Sequence, residues 1–113
     1  MDKIINHKEI VREIMQEIAE MNPSDEFSET QLITDDYKGH YLLFSIGWYQ
    51  NKREYLPFVH IDVRPDGKIW IQHDGTDLVI AQWLLDKGVP KSDIVLAFHA
   101  PSRRVLIPDF ALA

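Results

Sequence analysis

Four side chains able to bind a metal lie close together in the sequence, His60, Asp62, His73 and Asp74. Imidazole nitrogens and carboxylate oxygens are common ligands of zinc and related divalent ions. The strand register argued below places His60 and Asp62 on one face of a sheet and His73 on the other, so the four cannot close on one ion. We therefore predict no metal and no cofactor. Asp74 is interpreted as a helix cap, His73 as a hydrogen-bonded residue at the core margin, and His60 and Asp62 as part of an interface.

Other catalytic chemistry finds little support in the sequence. The chain has no Cys, which excludes disulfides, thiolate metal sites and cysteine nucleophiles. Ser45, Ser92 and Ser102 do not lie in a Gly-x-Ser-x-Gly elbow, and the five glycines form no phosphate-binding loop. The sequence predicts a protein that is not an enzyme. A small metal-dependent enzyme using His60, Asp62 and His73 is the less favoured alternative.

Length and charge indicate the class of protein. The 113 residues suffice for one domain over 1–113 with its own core. A net charge of -6 opposes binding to phosphate backbones, so no direct nucleic-acid binding is expected. A DNA-binding accessory factor remains the alternative, with the basic residues Lys52, Arg53, Arg103 and Arg104 on phosphates. No apolar run approaches the roughly 20 residues of a membrane span, and the amino terminus is too polar for a signal peptide. We expect a cytoplasmic protein.

Hydrophobic periodicity predicts an α+β fold. Apolar residues recur at helical spacing through 3–21, with charged residues on the other side. The segments that follow are typical of strands, at 27–34, 40–49, 55–63 and 68–73. A second helix is expected from the cap at Asp74 to Lys87, where Gly88 ends it. These elements predict a two-layer domain: a four-stranded antiparallel sheet with an N-terminal helix and a second helix on one face. The conformation of residues 92–113 is not assigned.

The turns fix the expected register of the sheet. The sequence Arg64-Pro-Asp-Gly67 predicts a type I turn with Gly67 in the left-handed position. Counting back from it pairs Val63 with Ile69, Ile61 with Ile71 and Val59 with His73. A two-residue turn at Asn51-Lys52 would place Leu42 opposite Ile61, Phe44 opposite Val59 and Trp48 opposite Tyr55.

This register leaves a second sheet face that is too apolar to stand in water. Either the C-terminal segment or another subunit covers it, and a homodimer is compatible with the pattern. Arg103 and Arg104 form an adjacent basic pair that could grip a partner's carboxylate or phosphate. We take as the candidate partner interface Tyr41, Leu43, Tyr49, Phe58, His60, Asp62, Trp70, Arg103 and Arg104; Leu56 also lies on this predicted face.

Two blocks of the sequence carry a resemblance to a known family. They are 68–77 (KIWIQHDGTD) and 88–101 (GVPKSDIVLAFHAP), and Phe110-Ala111 near the end of the chain follows the same pattern. The stretch from Gly47 to Asp62, the opening helix and the length also fit. Over nearly its whole length the chain resembles the XisI family, the fdxN-element excision controlling factors of cyanobacteria.

The resemblance implies a regulatory role without catalysis. Members of this family are associated with excision of a DNA element during heterocyst differentiation, beside a separate recombinase that cuts and joins the DNA. It also implies a companion protein, XisH-like, as the binding partner. The family offers no established catalytic residues to carry over to this chain.

Overall fold

The protein, described by a computed structural model over residues 2–113, opens with one long helix and continues into a sheet. The elements in chain order are α1 (Lys3–Met21), β1 (Ser28–Asp35), β2 (His40–Tyr49), β3 (Lys52–Val63), β4 (Ile69–Asp74), α2 (Ile80–Asp86), a 3-10 turn (Lys91–Asp93), β5 (Ile94–Leu96) and α3 (Pro101–Arg104). The first helix and the second strand have the predicted bounds. Among the described residues, no helix combines the length and apolar character required to cross a membrane.

The sheet has five strands in the order β1-β2-β3-β4-β5. The first four pair antiparallel, as predicted. The fifth strand was not predicted, and it pairs parallel to β4 with Ile69 opposite Ile94. It is parallel because α2 carries the chain back to the end of the sheet where β4 began. The α+β class is confirmed, and the sheet is mixed rather than wholly antiparallel.

The core lies between α1 and one face of the sheet. Helix α1 buries Val11, Ile14, Met15 and Ile18, which are four residues of its apolar stripe. The residues that β2 to β5 bury in the same cluster are Tyr41, Leu43, Val59, Ile61, Val63, Ile69, Ile71, Ile94 and Leu96. We call this side of the sheet the inner face and the opposite side the outer face.

The turn between β3 and β4 forms as the sequence predicts. Gly67 has φ +89°, Arg64 N–H donates to Lys68 O, and Val63 and Ile61 pair with Ile69 and Ile71. Beyond Ile61 the register shifts, so that His60 pairs with His73 and Val59 pairs with Asp74. The predicted pair of Val59 with His73 is therefore wrong. The physical cause is a β-bulge that leaves Gln72 as an extra residue on β4.

The turn between β2 and β3 differs from the prediction. Its central residues are Gln50 and Asn51, both with positive φ (49° and 69°), which suits the twist of a two-residue hairpin. Tyr49 therefore pairs with Lys52 and Trp48 with Arg53. A second bulge, between Leu43 and Phe44 on β2 and opposite Phe58, changes the register again.

The revised register turns the predicted faces of β2 over. Tyr41 pairs with Ile61 and Leu43 with Val59, so both side chains enter the core on the inner face. Leu42 pairs with His60, Phe44 pairs with Pro57, and both point to the outer face. A shift of one residue moves every side chain of a strand to the other face. The predicted pairs of Leu42, Phe44 and Trp48 are wrong. The turn moves the partner of Trp48 by two residues, from Tyr55 to Arg53, and the bulge at Phe58 adds the shift of one residue that exchanges the faces of β2.

Helix α2 begins later than predicted but still uses Asp74. The carboxylate accepts N–H groups from Thr76 and from Ile80, the first residue of the helix, at 3.0 and 3.1 Å. Asp74 thus caps α2 from six positions away across a short loop. At the other end Gly88 has φ +96°, which confirms its predicted role as a left-handed stop.

Candidate partner-binding surface

The outer face carries an exposed apolar strip on β1 to β3. Its members alternate along the strands with the core residues and share one side of the sheet. We call these residues the open strip: Ile33, Leu42, Phe44, Ile46, Trp48 and Tyr55. Trp48 is 58% exposed and Tyr55 is 63% exposed, while Leu42, Phe44 and Ile46 are half-buried by their neighbours. None of them is covered by α1, which lies on the inner face.

Aromatic packing gives the open strip a defined shape. The rings of Phe44 and Tyr55 lie 5.5 Å apart at their centroids. The guanidinium of Arg53 stands 5.2 Å from the Trp48 ring and 5.8 Å from the Tyr55 ring. Such cation–π contacts hold exposed rings in place. The exposed rings of the open strip therefore pack against neighbouring side chains.

Beside the open strip lies a cluster of polar side chains around Asp62. His40 Nδ1 is 2.8 Å and His60 Nε2 is 3.0 Å from the same carboxylate oxygen, Oδ1. The amide of Gln72 donates to Oδ2 at 3.0 Å, and the Arg64 guanidinium lies 3.7 Å from it. Asp62 itself is buried, whereas both histidines reach solvent.

These contacts favour the ionised form of Asp62. Burial acts to raise its pKa, and hydrogen bonds from His40 and Gln72 together with the charges of the two histidines act to lower it. The net effect holds the pKa of Asp62 below its ordinary value. Asp62 is therefore an ionised carboxylate that contacts His40 on β2, His60 on β3, Gln72 on β4 and Arg64 in the turn between β3 and β4.

The β4–β5 end of the outer face is covered by the chain itself. Trp70 lies between two guanidinium groups, 4.2 Å from Arg64 and 5.6 Å from Arg104. Val95, which pairs with Trp70, is fully buried although it lies outside the inner-face core. The cover is residues 97–113, which we call the C-terminal segment.

Arg104 stabilises the C-terminal segment through hydrogen bonds. Its guanidinium donates to the carbonyl oxygens of His99 (3.0 Å), Leu112 (3.2 Å) and Ala97 (3.4 Å). The segment also bridges to β5 through Ala111, whose N–H donates to Ile94 O at 2.9 Å. Arg104 is thus occupied within the chain. Arg103, its neighbour, is exposed.

The structure relocates several residues of the predicted interface. Tyr41 and Leu43 were expected on the outer face, but both are fully buried on the inner face. The Tyr41 hydroxyl donates to Asp36 at 2.7 Å, and burial followed by this bond raises the tyrosine pKa well above its ordinary value. Because neither side chain reaches the surface, their assignment to a partner interface is wrong.

Tyr49 and Phe58 also lie away from the open strip. Tyr49 shares the inner-face side of β2 but extends beyond the core, half-exposed, with its ring 5.2 Å from that of Phe27. Phe58 occupies the bulge of β3 and packs partly buried against the core. Leu56 pairs with Ser45 on the same side as Tyr49. His60, Asp62 and Trp70 lie on the outer face, as predicted.

Sequence reasoning missed most of the open strip and one member of the polar cluster. The predicted register, which lacked the bulge at Phe58, placed Leu42 and Phe44 on the core face, and His40 was not singled out. The usable signal was the dipeptide Gln50-Asn51, because asparagine accepts a positive φ more readily than lysine. A hairpin built on that turn alone places His40 opposite Ile61, and the bulge at Phe58 shifts the pairing by one residue to Asp62.

Comparison with known proteins identifies the family. The model of the family described as XisI protein matches residues 1–112. A XisI-like protein from Anabaena variabilis has a similar structure, with TM-score 0.90 and 36% identity over 97% of this chain and 99% of that one. The fdxN element excision controlling factor XisI from Anabaena variabilis is similar too, with TM-score 0.88 and 34% identity over 99% of this chain and 100% of that one.

None of the curated proteins matches the chain. The family match nevertheless extends over almost the whole sequence, and both structural matches agree with it in fold and in family. The chain belongs to the XisI family.

Proposed function

We propose that this protein is a non-catalytic regulator of DNA-element excision that acts by binding a companion protein of the XisH type. The observation that carries the proposal is the open strip, an apolar and aromatic surface left uncovered on the outer face of β1 to β3. A regulator named for controlling excision, as the similar Anabaena variabilis protein is, requires a surface for a partner more than it requires a reactive centre.

The composition of the open strip suits an energetic centre for association. Trp, Tyr and Arg are the residues that most often dominate binding energy, and Trp48, Tyr55 and Arg53 stand together here. Their rings are already held by stacking on the guanidinium and by Phe44, so less side-chain freedom is lost on binding. Contiguous apolar surface of this kind on a soluble domain commonly marks an interaction site.

The net negative charge of the chain favours a protein partner over DNA. The chain carries 18 acidic and 12 basic residues, which repels a phosphate backbone. Arg104, one of the four residues of the DNA-binding alternative, is already bound to three carbonyl oxygens of its own chain. These contacts support a companion protein over DNA as the direct partner.

The test is the molar mass of this protein alone and after co-expression with the XisH-like product of a neighbouring gene, measured by light scattering on a sizing column. We expect a stable mixed complex. A double variant, Trp48→Ser with Tyr55→Ser, should lose the companion while keeping the native circular-dichroism spectrum. Tyr37→Ser is the matched control, because this tyrosine is 89% exposed but lies in the β1–β2 turn, away from the open strip.

Two results would overturn the proposal. One is a wild-type protein that forms only a homodimer and ignores the companion, which would assign the open strip to self-association. The other is a complex that survives the Trp48→Ser, Tyr55→Ser change with undiminished affinity, which would place the interface elsewhere. Loss of binding in Tyr37→Ser as well would also argue against a site confined to the strip.

A further inference from the structure

We infer that His40, His60 and Asp62 form a binding site for a divalent transition metal ion of the zinc type. One ligand atom from each residue, a ring nitrogen or a carboxylate oxygen, lies within 4.8 Å of the other two. Two imidazoles and one carboxylate are a ligand set that binds zinc and its neighbours in preference to calcium or magnesium, which favour oxygen. The site stands on its own evidence and does not depend on the proposed partner.

Strand geometry explains why these three side chains meet. His40 on β2 is the direct cross-strand partner of Asp62 on β3. His60 lies two residues before Asp62 and so points to the same face. The ligands thus come from two hydrogen-bonded strands of the sheet, which hold their relative positions more rigidly than loops would.

The observed distances are close to those of a metal site. In a tetrahedral site with bonds of about 2.0 to 2.1 Å, neighbouring ligand atoms lie about 3.4 Å apart. His40 Nδ1 and His60 Nε2 are 2.8 and 3.0 Å from Asp62 Oδ1, so the side chains need to open by only about 0.5 Å. Rotation of two half-exposed imidazoles supplies a movement of that size without moving the backbone.

The protonation of the histidines is also compatible with an ion. In the hydrogen-bonded form the proton of each ring is on the nitrogen that faces Asp62. Metal binding transfers it to the other nitrogen, Nε2 of His40 and Nδ1 of His60. Within residues 2–113 those nitrogens have no hydrogen-bond partner, so the change of tautomer breaks no other protein hydrogen bond.

The surroundings orient the carboxylate and leave room for a further ligand. The amide of Gln72, two residues after Trp70 and on the same face, donates to Oδ2 of Asp62 at 3.0 Å. Such outer contacts orient metal ligands and commonly alter affinity by 10- to 100-fold. The side chains of His40 and His60 are 48% and 33% exposed, so water or a partner's side chain can reach the fourth position. Arg64, 3.7 Å from Oδ2, lowers the affinity through its charge.

The test is calorimetric titration of the full chain with Zn²⁺ after treatment with a chelator, repeated with Co²⁺ to record its visible absorption. We expect one saturable site per chain and the absorption of Co²⁺ in a four-coordinate nitrogen and oxygen environment. His40→Gln and Asp62→Asn should each weaken binding at least about 10-fold, and Gln72→Ala should weaken it less. His73→Gln is the matched control, since His73 pairs with His60 on the next strand but is not in the ligand group.

The inference is wrong if neither ion gives saturable binding, or if His40→Gln binds as tightly as the wild type. Equal weakening by His73→Gln would show that the ion binds elsewhere. His40 is half-exposed, so its variant is expected to fold, and a native circular-dichroism spectrum makes its result decisive even if Asp62→Asn fails to fold.

Discussion

The two ends of the outer face are built from similar residues, but the chain covers only one of them. At the β4–β5 end, Val95 is fully buried and Trp70 lies beneath the Arg104 guanidinium. At the β1–β3 end, Trp48 and Tyr55 remain more than half exposed. The difference shows that the C-terminal segment covers only the part of the face next to β5, the strand from which it emerges.

The covered end contributes to folding stability, whereas the open strip offers a surface for association. Fully burying a side chain such as valine contributes about 1.5 to 3 kcal/mol, so the covered end stabilises the monomer. The open strip contributes much less to folding because its largest side chains stay in water. Its apolar area is available to a partner, and association would release the water that now contacts it.

The largest effect is expected from a charge placed at the covered end. Val95→Asp should destabilise the protein by about 3 kcal/mol or more, because an unpaired carboxylate would lose its hydration without gaining a partner. Ile33→Asp, on the exposed part of the open strip, should change stability by under about 0.5 kcal/mol. Urea unfolding of both variants measures the comparison directly. Equal losses in the two variants would show that the two ends do not differ in burial as described.

A smaller loss is expected when the cover is loosened. Arg104→Ala removes hydrogen bonds to three carbonyl oxygens and the contact with Trp70, which should cost about 2 kcal/mol. Arg103→Ala is the control, since Arg103 is exposed and should leave stability within about 0.5 kcal/mol. Hydrogen exchange should show faster opening of residues 97–113 in Arg104→Ala. Unchanged exchange there would mean that Arg104 does not hold the segment.

Polar replacement in the open strip should lower stability only modestly while altering the surface. Trp48→Ser should lower the free energy of unfolding by about 1 kcal/mol, because the side chain is 58% exposed and its cation–π contact with Arg53 is lost. The same change should reduce the fluorescence of an added hydrophobic dye. Val79→Ser, at an exposed apolar position before α2, should leave the dye signal as it is. A dye signal that ignores Trp48→Ser would argue that the strip is not an accessible apolar surface.

On the inner face, α1 covers the sheet, which allows a comparison with the end covered by the C-terminal segment. The smallest change in stability is expected on this face. The hydrogen bond from the Tyr41 hydroxyl, followed by that from Arg12, holds the pKa of Asp36 below its ordinary value. A carboxyl with a lowered folded pKa contributes stability above its unfolded pKa, near 3.9, and loses it as the pH falls through the folded pKa. Asp36→Asn should therefore be less stable than the wild type at neutral pH and show a weaker decline in acid. Urea midpoints from pH 7 down to pH 2 would measure this, and parallel curves for the two proteins would contradict it.

The sequence by itself determined the fold class and most of the elements. Helix α1 and strand β2 have the bounds that periodicity predicts. Apolar residues at helical spacing can be buried together on one side only in a helix, and alternating apolar residues only in a strand. The turns at Gly67 and the stop at Gly88 were equally predictable, since both positions require a positive φ that glycine adopts without strain. Resemblance in two blocks of sequence was enough to indicate the family that the comparisons show.

Only the tertiary structure decided which residues lie on the outer face of the sheet. Two bulges and one turn set the register of β2 and β3, and the bulges depend on how distant strands pack rather than on local preference. Because a slip of one residue exchanges the two faces, the unpredicted bulge at Phe58 is what places Tyr41 and Leu43 on the inner face. The same packing brings His40 to Asp62 from 22 positions away, and it sets how far the C-terminal segment extends over the sheet.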